Sequence, residues 1–301
     1  MDLDALRVFV RVAELGSFTR AAEQLGLSKA AASLRVRALE EELGASLLQR
    51  STRVVRLTTD GEQLVARARK LVADADDIAT LFRPRAALRG RVRVDLPVHF
   101  ARELFMPRVP GWLTAHPELE LVVSATDRRV DVVREGFDCV LSIGTLRDSG
   151  LVAKRLGVLS MLNCASPAYL DRRGTPTELA DLERHVVVHY SHALGAEDAA
   201  FEYPARKAHA GGWALVPMRS LVTVNNADAY LAACLAGLGI IQVPRYGMRA
   251  YLADGSLVEI LPTLTAAPMP VSLVHAYGTR VPRRVRAVMA WIEEAARAML
   301  G

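Results

Sequence analysis

Nothing in these 301 residues is apolar for long enough to cross a bilayer. The longest runs, Val186 to Val188 and Ala232 to Leu235, fall far short of the roughly 20 residues a membrane helix needs. The first residues read Met-Asp-Leu-Asp, acidic where a secretory leader is basic, so export is not expected. Cysteine is scarce. Cys139, Cys164 and Cys234 are odd in number and lack metal-ligand spacing, so no disulfide framework or zinc site is expected and a reducing cytoplasm fits best. Phosphate-loop, nucleophile-elbow and triad spacings are missing as well. Catalytic residues can lie far apart in sequence, so the expectation of a non-enzyme without cofactor rests on what is present instead. Two patterns only imitate chemistry. Gly237-Leu238-Gly239 begins like a dinucleotide fingerprint, but it follows a helical stretch, precedes a strand and lacks the third glycine. His185, His189 and His192 flank a valine run that reads as a strand. A strand puts only the first pair on one face, and no cysteine or carboxylate completes a metal set.

What the chain does have is the balance of a globular protein, with 51% hydrophobic and 24% charged residues. Its length allows two or three domains with sizeable cores. The net charge is +5, a mild pointer to an anionic partner. Residues 1–90 hold 15 Lys/Arg against 12 Asp/Glu, and residues 91–301 hold 23 against 21. The first third is the more basic per residue, which alone says little, because most basic proteins bind no nucleic acid.

The pattern of that first third says more. Leu6, Phe9, Val10 and Ala13 recur at helical spacing and Gly16 supplies a stop. Ser17 suits the cap of a second helix over Phe18–Leu25, and Gly26-Leu27-Ser28 turns the chain into a third, from Lys29 to about Leu43, closed by Gly44. Two short helices joined by such a glycine turn form a helix-turn-helix. In the third helix Ala32, Val36, Leu39 and Leu43 make the stripe expected to be buried. Ser28, Lys29, Ser33 and Arg37, with Arg35 nearby, make a small, cationic outer edge. That edge admits two readings: a solvated surface, or a helix that reads base edges in the major groove and grips phosphates.

The next segment favours the second reading. Arg50, Arg53 and Arg56 are three apart within a short stretch where Val54 and Leu57 favour strands, so it reads as a basic wing, with Arg50, Thr52 and Arg53 as candidate backbone contacts. Thr58 or Thr59 then starts a long helix, with Thr59 and Glu62 at capping-box spacing. Leu64, Ala68, Leu71, Ala75, Ile78 and Phe82 form a heptad seam along it. A seam of that kind on a helix of roughly 36 Å is expected to pair with a second copy, although packing on the chain's own remainder would also cover it. The helix ends at Arg83-Pro84-Arg85. The expected division is 1–58 for the winged helix-turn-helix, 59–90 for the linker and dimerisation helix, and 91–301 for a second, larger domain.

Read together, residues 1–90 resemble the LysR-type transcriptional regulators. The resemblance rests on Gly16-Ser17-Phe18, Ala21-Ala22, Leu25 to Ser28, Arg37 to Gly44, Leu47-Leu48, Thr52-Arg53, and Leu57-Thr58 with Gly61. It continues through Asp127 to Asp131, Glu135 to Asp138, Ile143-Gly144, Cys164 to Leu170, and Leu235 to Ile240, covering nearly the whole chain. Two positions depart from the family. Ala30 stands where the family usually has proline, and Leu34 where a polar side chain is common. Leu34 would either touch a thymine methyl or leave that base contact unmade. His192 to Arg219 follows no pattern of the family.

Beyond residue 90, strands over Arg91–Leu96, Leu119–Ser124 and Phe137–Ile143 alternate with helices over Ala101–Thr114 and Arg129–Glu135, which predicts an open parallel sheet. The resemblance implies a bilobal α/β domain similar to type 2 periplasmic binding proteins, with lobe I at 91–163 and 269–301 and lobe II at 164–268. Effector-contacting positions would then be Val98, His99 and Phe100, Thr145, Ser191, Asn225 and Asn226, at the carboxyl ends of strands. Each could equally be a loop or capping residue. Asn226 or its neighbour reads as an N-cap, and a helix N-terminus there suits a small organic anion. The expected partners are double-stranded DNA with a pseudo-palindromic operator, an effector, a second or fourth copy of the chain, and RNA polymerase, all in the cytoplasm. Two other classes compete: an exported solute receptor, which would need a leader, and an enzyme in the cleft, for which His99 is thin support.

Overall fold

The structure is a computed structural model that describes residues 1–50, 55–80, 87–146, 150–192, 198–205, 212–278 and 281–300. Two compact units divide it. One is Met1–Leu88 with the short segments Asp131–Phe137 and Thr279–Arg283; the other is Arg89–Val130, Asp138–Gly278 and Arg284–Gly301.

In the first unit, α1 (Leu3–Leu15), α2 (Phe18–Gln24) and α3 (Lys29–Leu43) begin and end where local chemistry dictates. The side chains of Asp2, Ser17 and Ser28 cap the three N-termini, and Gly16 and Gly44 take left-handed backbone at two of the C-termini. Ala32, Val36 and Leu39 bury one stripe of α3 against Leu6, Phe9 and Ala21 in a single apolar cluster. The expected fourth member of that stripe, Leu43, is exposed. It sits in the last turn beside Gly44, where the chain leaves the cluster.

Strands β1 (Leu48–Arg50) and β2 (Val55–Leu57) pair antiparallel as the expected wing. Glu40 of α3 accepts hydrogen bonds from the Leu47 and Leu48 amides at 2.8 and 3.1 Å, so one carboxylate fixes the wing to the third helix. Thr58 caps α4 (Thr59–Thr80), accepting from the Gly61 amide at 3.0 Å. The expected box between Thr59 and Glu62 gives way to this cap one residue earlier. Gly61 is dictated by packing, because a Cβ there would lie 2.1 Å from the Leu47 carbonyl oxygen.

Leu64 and Ala68 correct the expected dimer seam. They pack into the cluster of α1 and α3, as do Val65 and Val72, because the first turns of α4 cover their own domain. Leu71 and Ile78 are exposed, at 43% and 68%, with Ala75 half-buried between them. Phe82 and the Arg83-Pro84-Arg85 end of the helix lie outside the described residues.

The second unit opens with β3 (Gly90–Leu96), followed by the short α5 (Val98–Phe100). The helix expected over Ala101–Thr114 is broken. Wide and tight turns occupy Ala101–Phe105 and Met106–Arg108 before α6 (Val109–Ala115), because Pro107 and Pro110 lack the amides a continuous helix requires. Then come β4 (Leu119–Ala125), β5 (Cys139–Ile143), β6 (Val152–Leu159) and β7 (Met161–Ala165). The helix expected over Arg129–Glu135 is a set of turns. The Asp131 carboxylate captures the Val133 and Arg134 amides at 3.1 and 2.9 Å, a local alternative to helical pairing.

Next are α7 (Pro167–Arg173), β8 (Val186–Tyr190), β9 (Ala200–Pro204), β10 (Trp213–Pro217), β11 (Arg219–Val224) and α8 (Ala227–Leu235). The chain finishes with β12 (Ile241–Pro244), α9 (Arg249–Ala253), β13 (Val258–Glu259), β14 (Met269–His275) and α10 (Arg283–Ala296).

One sheet runs β4-β3-β5-β14-β6 and another β12-β7-β13. Strands β8 and β11 pair parallel and meet the second sheet through a bridge between Val187 and Ile240. Only Ser160 separates β6 of the first sheet from β7 of the second, so the crossing comes three residues before the expected lobe boundary. The chain returns to the first sheet with β14, which begins at Met269. The first sheet is mixed instead of purely parallel, since β14 is antiparallel to both β5 and β6. The cause is topological: the chain leaves lobe I at the carboxyl end of β6 and re-enters at that same end. Strands β3, β4 and β5 therefore also end at the crossing.

Removing the clamp between helix and wing should be measurable. Glu40→Ala leaves two amides without their acceptor and is expected to lower the unfolding free energy of the N-terminal unit by about 1–3 kcal/mol. Chemical denaturation followed by circular dichroism checks it, and an unaltered midpoint would remove Glu40 from this role.

Candidate DNA interface and effector cleft

With Ala32, Val36 and Leu39 fixed in the core, 3.6 residues per turn decides what α3 shows to the outside. Directly opposite lie Ala30, Leu34, Arg37 and Glu41, all exposed. Exposed Lys29 and half-buried Ser33 hold one flank. Ser28 uses its hydroxyl to accept the Ala31 amide at 3.1 Å, which sets the first turn. Arg35 departs from expectation. It lies on the other flank, 3.8 Å from the Asp4 carboxylate of α1, so α1 competes for its charge. Arg56 is exposed on β2. The backbone of Arg50 is in β1, whereas Thr52 and Arg53 lie outside the described residues. An exposed helix with a cationic, small-residue edge beside a two-stranded basic wing has the dimensions and charge for a major groove and its flanking phosphates.

In the second unit, the carboxyl ends of β3 and β4 meet the start of α8 through a residue the sequence-based reading placed only within a motif. Asp127 accepts the Val98 amide on Oδ1 at 3.0 Å and the Ala227 amide on Oδ2 at 2.7 Å. Its carbonyl accepts from His192 Nδ1 at 2.8 Å. One aspartate thus ties lobe I to two segments of lobe II. A helix-opening amide prefers an anion, which is why a carboxylate sits there. No local pattern could have revealed this, because Asp127 and Ala227 are 100 residues apart.

Arg102 and Asp228 add an ion pair at 2.9 Å between the lobes, with both side chains more than 40% exposed. Exposed pairs are worth about 0–1 kcal/mol, whereas a hydrogen bond to a charged group is worth about 1.5–3 kcal/mol. Asp127 therefore dominates the closure.

The expected effector positions divide. Val98 and Asn226 are at this junction, the latter capping α8 through the Ala229 amide at 2.8 Å. His99 is there too, its ring edge-on to Tyr246 at 5.3 Å and its Nδ1 3.3 Å from Arg102. A guanidinium can only donate, so Nδ1 accepts and the proton resides on Nε2. That Nε2 has no hydrogen-bond partner among the described residues and lies against Gly247, where a Cβ would approach it to 2.2 Å. Burial, then the Arg102 charge, push the His99 pKa below its ordinary 6.5.

Phe100 is a correction. The turn of α5 swings it inward to 0% exposure, against Phe105. Ser191 is also buried, at 2%, and its amide continues the pairing with β11 through Val224. Thr145 and Asn225 are exposed, and Asn225 Oδ1 accepts from Asn226 Nδ2 at 3.5 Å.

The two patterns that imitated chemistry have structural uses. Gly237 turns the chain after α8 at φ +77°, and a Cβ on Gly239 would press within 2.8 Å of the β8 backbone. His185 pairs with the Tyr169 hydroxyl at 3.1 Å, whereas His192 serves Asp127.

Two family models match the chain: the bacterial regulatory helix-turn-helix protein of the lysR family over residues 3–62, and the LysR substrate binding domain over residues 85–297. The chain belongs to the LysR family of transcriptional regulators. It is 41% identical to the HTH-type transcriptional regulator YhjC of Escherichia coli (strain K12), covering 96% of each chain. It is 32% identical to an HTH-type transcriptional repressor of Pseudomonas aeruginosa (strain UCBPP-PA14), over 97% of this chain and 91% of that one. Among solved structures, CrgA, a LysR-type transcriptional regulator from Neisseria meningitidis, aligns with a TM-score of 0.60 at 27% identity, covering 98% of both chains. A LysR-type regulator is a DNA-binding protein with an effector-binding domain, and these relatives are regulators, not enzymes. No helix among the described residues is long and apolar enough to cross a membrane.

Two outcomes follow at the junction. Asp127→Asn removes the charge and one acceptor, and is expected to lower the stability of the effector-binding unit by about 1–3 kcal/mol. Calorimetry of the full chain reads this, and a melting profile identical to wild type would sink the clasp. Stability should also fall with pH. Because the folded His99 pKa lies below 6.5, the unfolded chain takes up the proton first as pH drops through 6.5, and the loss continues until the folded ring titrates. Burial moves His185 and His275 in the same direction. Between pH 7.5 and 5.5 the midpoint of that unit should decline, and His99→Gln should flatten part of the slope. An equal slope in the variant would rule His99 out.

Proposed function

We propose that this chain is a cytoplasmic regulator whose dimers, or pairs of dimers, hold a pseudo-palindromic operator, and whose grip on DNA or on RNA polymerase changes when a small organic anion binds between the lobes. The observation that carries the DNA half is the outward edge of α3, with Lys29, Ser33 and Arg37, beside a wing whose strands include Arg50 and Arg56; the sequence adds Thr52 and Arg53 between those strands. Exposed Leu71 and Ile78, seven residues apart on α4 with Ala75 between them, support pairing of two copies along that helix. Two copies related by a two-fold axis would carry two recognition helices to half-sites a helical turn or its multiples apart.

The effector half rests on Asp127. Its carboxylate already occupies the amide that opens α8, so a carboxylate-bearing effector would compete for the same kind of partner. Such a ligand shifts the conformational equilibrium only by binding one state better than the other.

A gel-shift titration with the gene's own upstream intergenic DNA across a salt series tests the DNA half. The affinity of the wild type should fall steeply with salt. Arg37→Ala should weaken binding by about 1–3 kcal/mol with relaxed specificity, whereas Arg53→Ala should weaken all duplexes alike and reduce the salt slope by about one. Equal affinity for every duplex, unmoved by salt, would contradict the proposal.

A further inference from the structure

Leu34 occupies the middle of the outward edge of α3 and is 67% exposed. Four residues before it, exposed Ala30 lies on the same line of the helix. Among the described residues neither joins the apolar cluster of its own domain, whose stripe of Ala32, Val36 and Leu39 faces the other way. The surroundings say what covers them. Exposed Lys29 and Arg37 flank the pair along the same helix, and exposed Arg56 lies on the wing that Glu40 fixes to α3, a cationic setting that favours a polyanion over an apolar protein surface. Further along, exposed Glu41 and Glu42 would repel phosphates, so the amino-terminal half of the helix, where Ala30 and Leu34 lie, is the half that can go in.

Leucine has no donor and no acceptor. In the major groove every base edge presents hydrogen-bonding groups, and only thymine adds an apolar one, its C5-methyl. Against the edges of guanine, adenine or cytosine a leucine would displace water without replacing its hydrogen bonds. We propose that Leu34, with Ala30 beside it, is a specificity-determining residue that selects thymine in each half-site by packing on its methyl group, while Ser33 and Arg37 make the polar contacts. The proposal rests on the DNA-reading function above and adds which base is selected and by what chemistry.

The test works without a defined operator. Duplexes are first selected by the full-length protein from a random library, and each thymine of the best duplex is then replaced by deoxyuridine, which deletes only the methyl. Wild type should lose about three- to fivefold in affinity at one position per half-site, the worth of one buried methyl. Leu34→Ser should bind that same position with thymine or deoxyuridine equally well, and Leu34→Gln should no longer select thymine there. Because the side chain is exposed, both variants should keep the wild-type thermal unfolding curve, which separates loss of contact from loss of fold. Deoxyuridine tolerated within twofold at every position by the wild type, or the same methyl dependence persisting in Leu34→Ser, would overturn the assignment. Failure to retain any duplex from the library would instead overturn the DNA-reading function beneath it.

Discussion

Burial of Ala32, Val36 and Leu39 against α1 and α2 sets the rotation of the third helix, and the rest of the N-terminal unit follows from it. A helix rotates as a body, so once one stripe is held in an apolar cluster, every other side chain has its direction assigned. The caps at Ser28 and Gly44 fix where the helix starts and stops. Glu40, on a flank of the buried stripe, fixes where the wing lies. Rotating the stripe by one residue would turn the outer edge through ~100° and separate helix from wing. The proposed groove-reading surface is therefore a consequence of core packing, even though none of its own side chains contributes to that packing.

The effector-binding unit uses a different device. Its first sheet ends where the chain crosses between lobes, and the turn after β4 sends Asp127 to the opening of α8. A helix terminus leaves amides unpaired, and here a carboxylate of the same chain takes one of them. On the proposed reading, an effector must offer more than Asp127 already supplies, so the aspartate sets a threshold for the ligand as well as holding the lobes. The exposed Arg102–Asp228 pair adds little energy but sets charge around His99, whose buried ring favours the neutral form.

The N-terminal unit was legible because its information is local. Glycine stops, serine caps and the four-three spacing of apolar residues lie within a few residues of what they control, and the three helices and the wing appear where those signals placed them. The errors arose where a distant partner wins. The sequence pattern of α3 gives no sign that Arg35 shares its charge with Asp4 of α1, 3.8 Å away. Leu64 and Ala68 read as a dimer seam until the cluster they complete is in view. Beyond residue 90, proline and an aspartate turn overrode two helical patterns, and Phe100 turned inward because the chain coils immediately after Pro97. Asp127 was missed as a clasp for the same reason, its partner being a backbone amide far along the chain, and backbone amides carry no residue-type signature.

Dimethyl sulfate footprinting of the full-length protein on its selected duplex asks most directly whether the outward edge of α3 enters the major groove. The account predicts protection of guanine N7, a major-groove atom, in two patches on one face of the duplex, roughly 10 base pairs or a multiple apart, and loss of both patches in Arg37→Ala. Guanine N7 left fully reactive throughout the bound site, with protection confined to the minor groove, would contradict it.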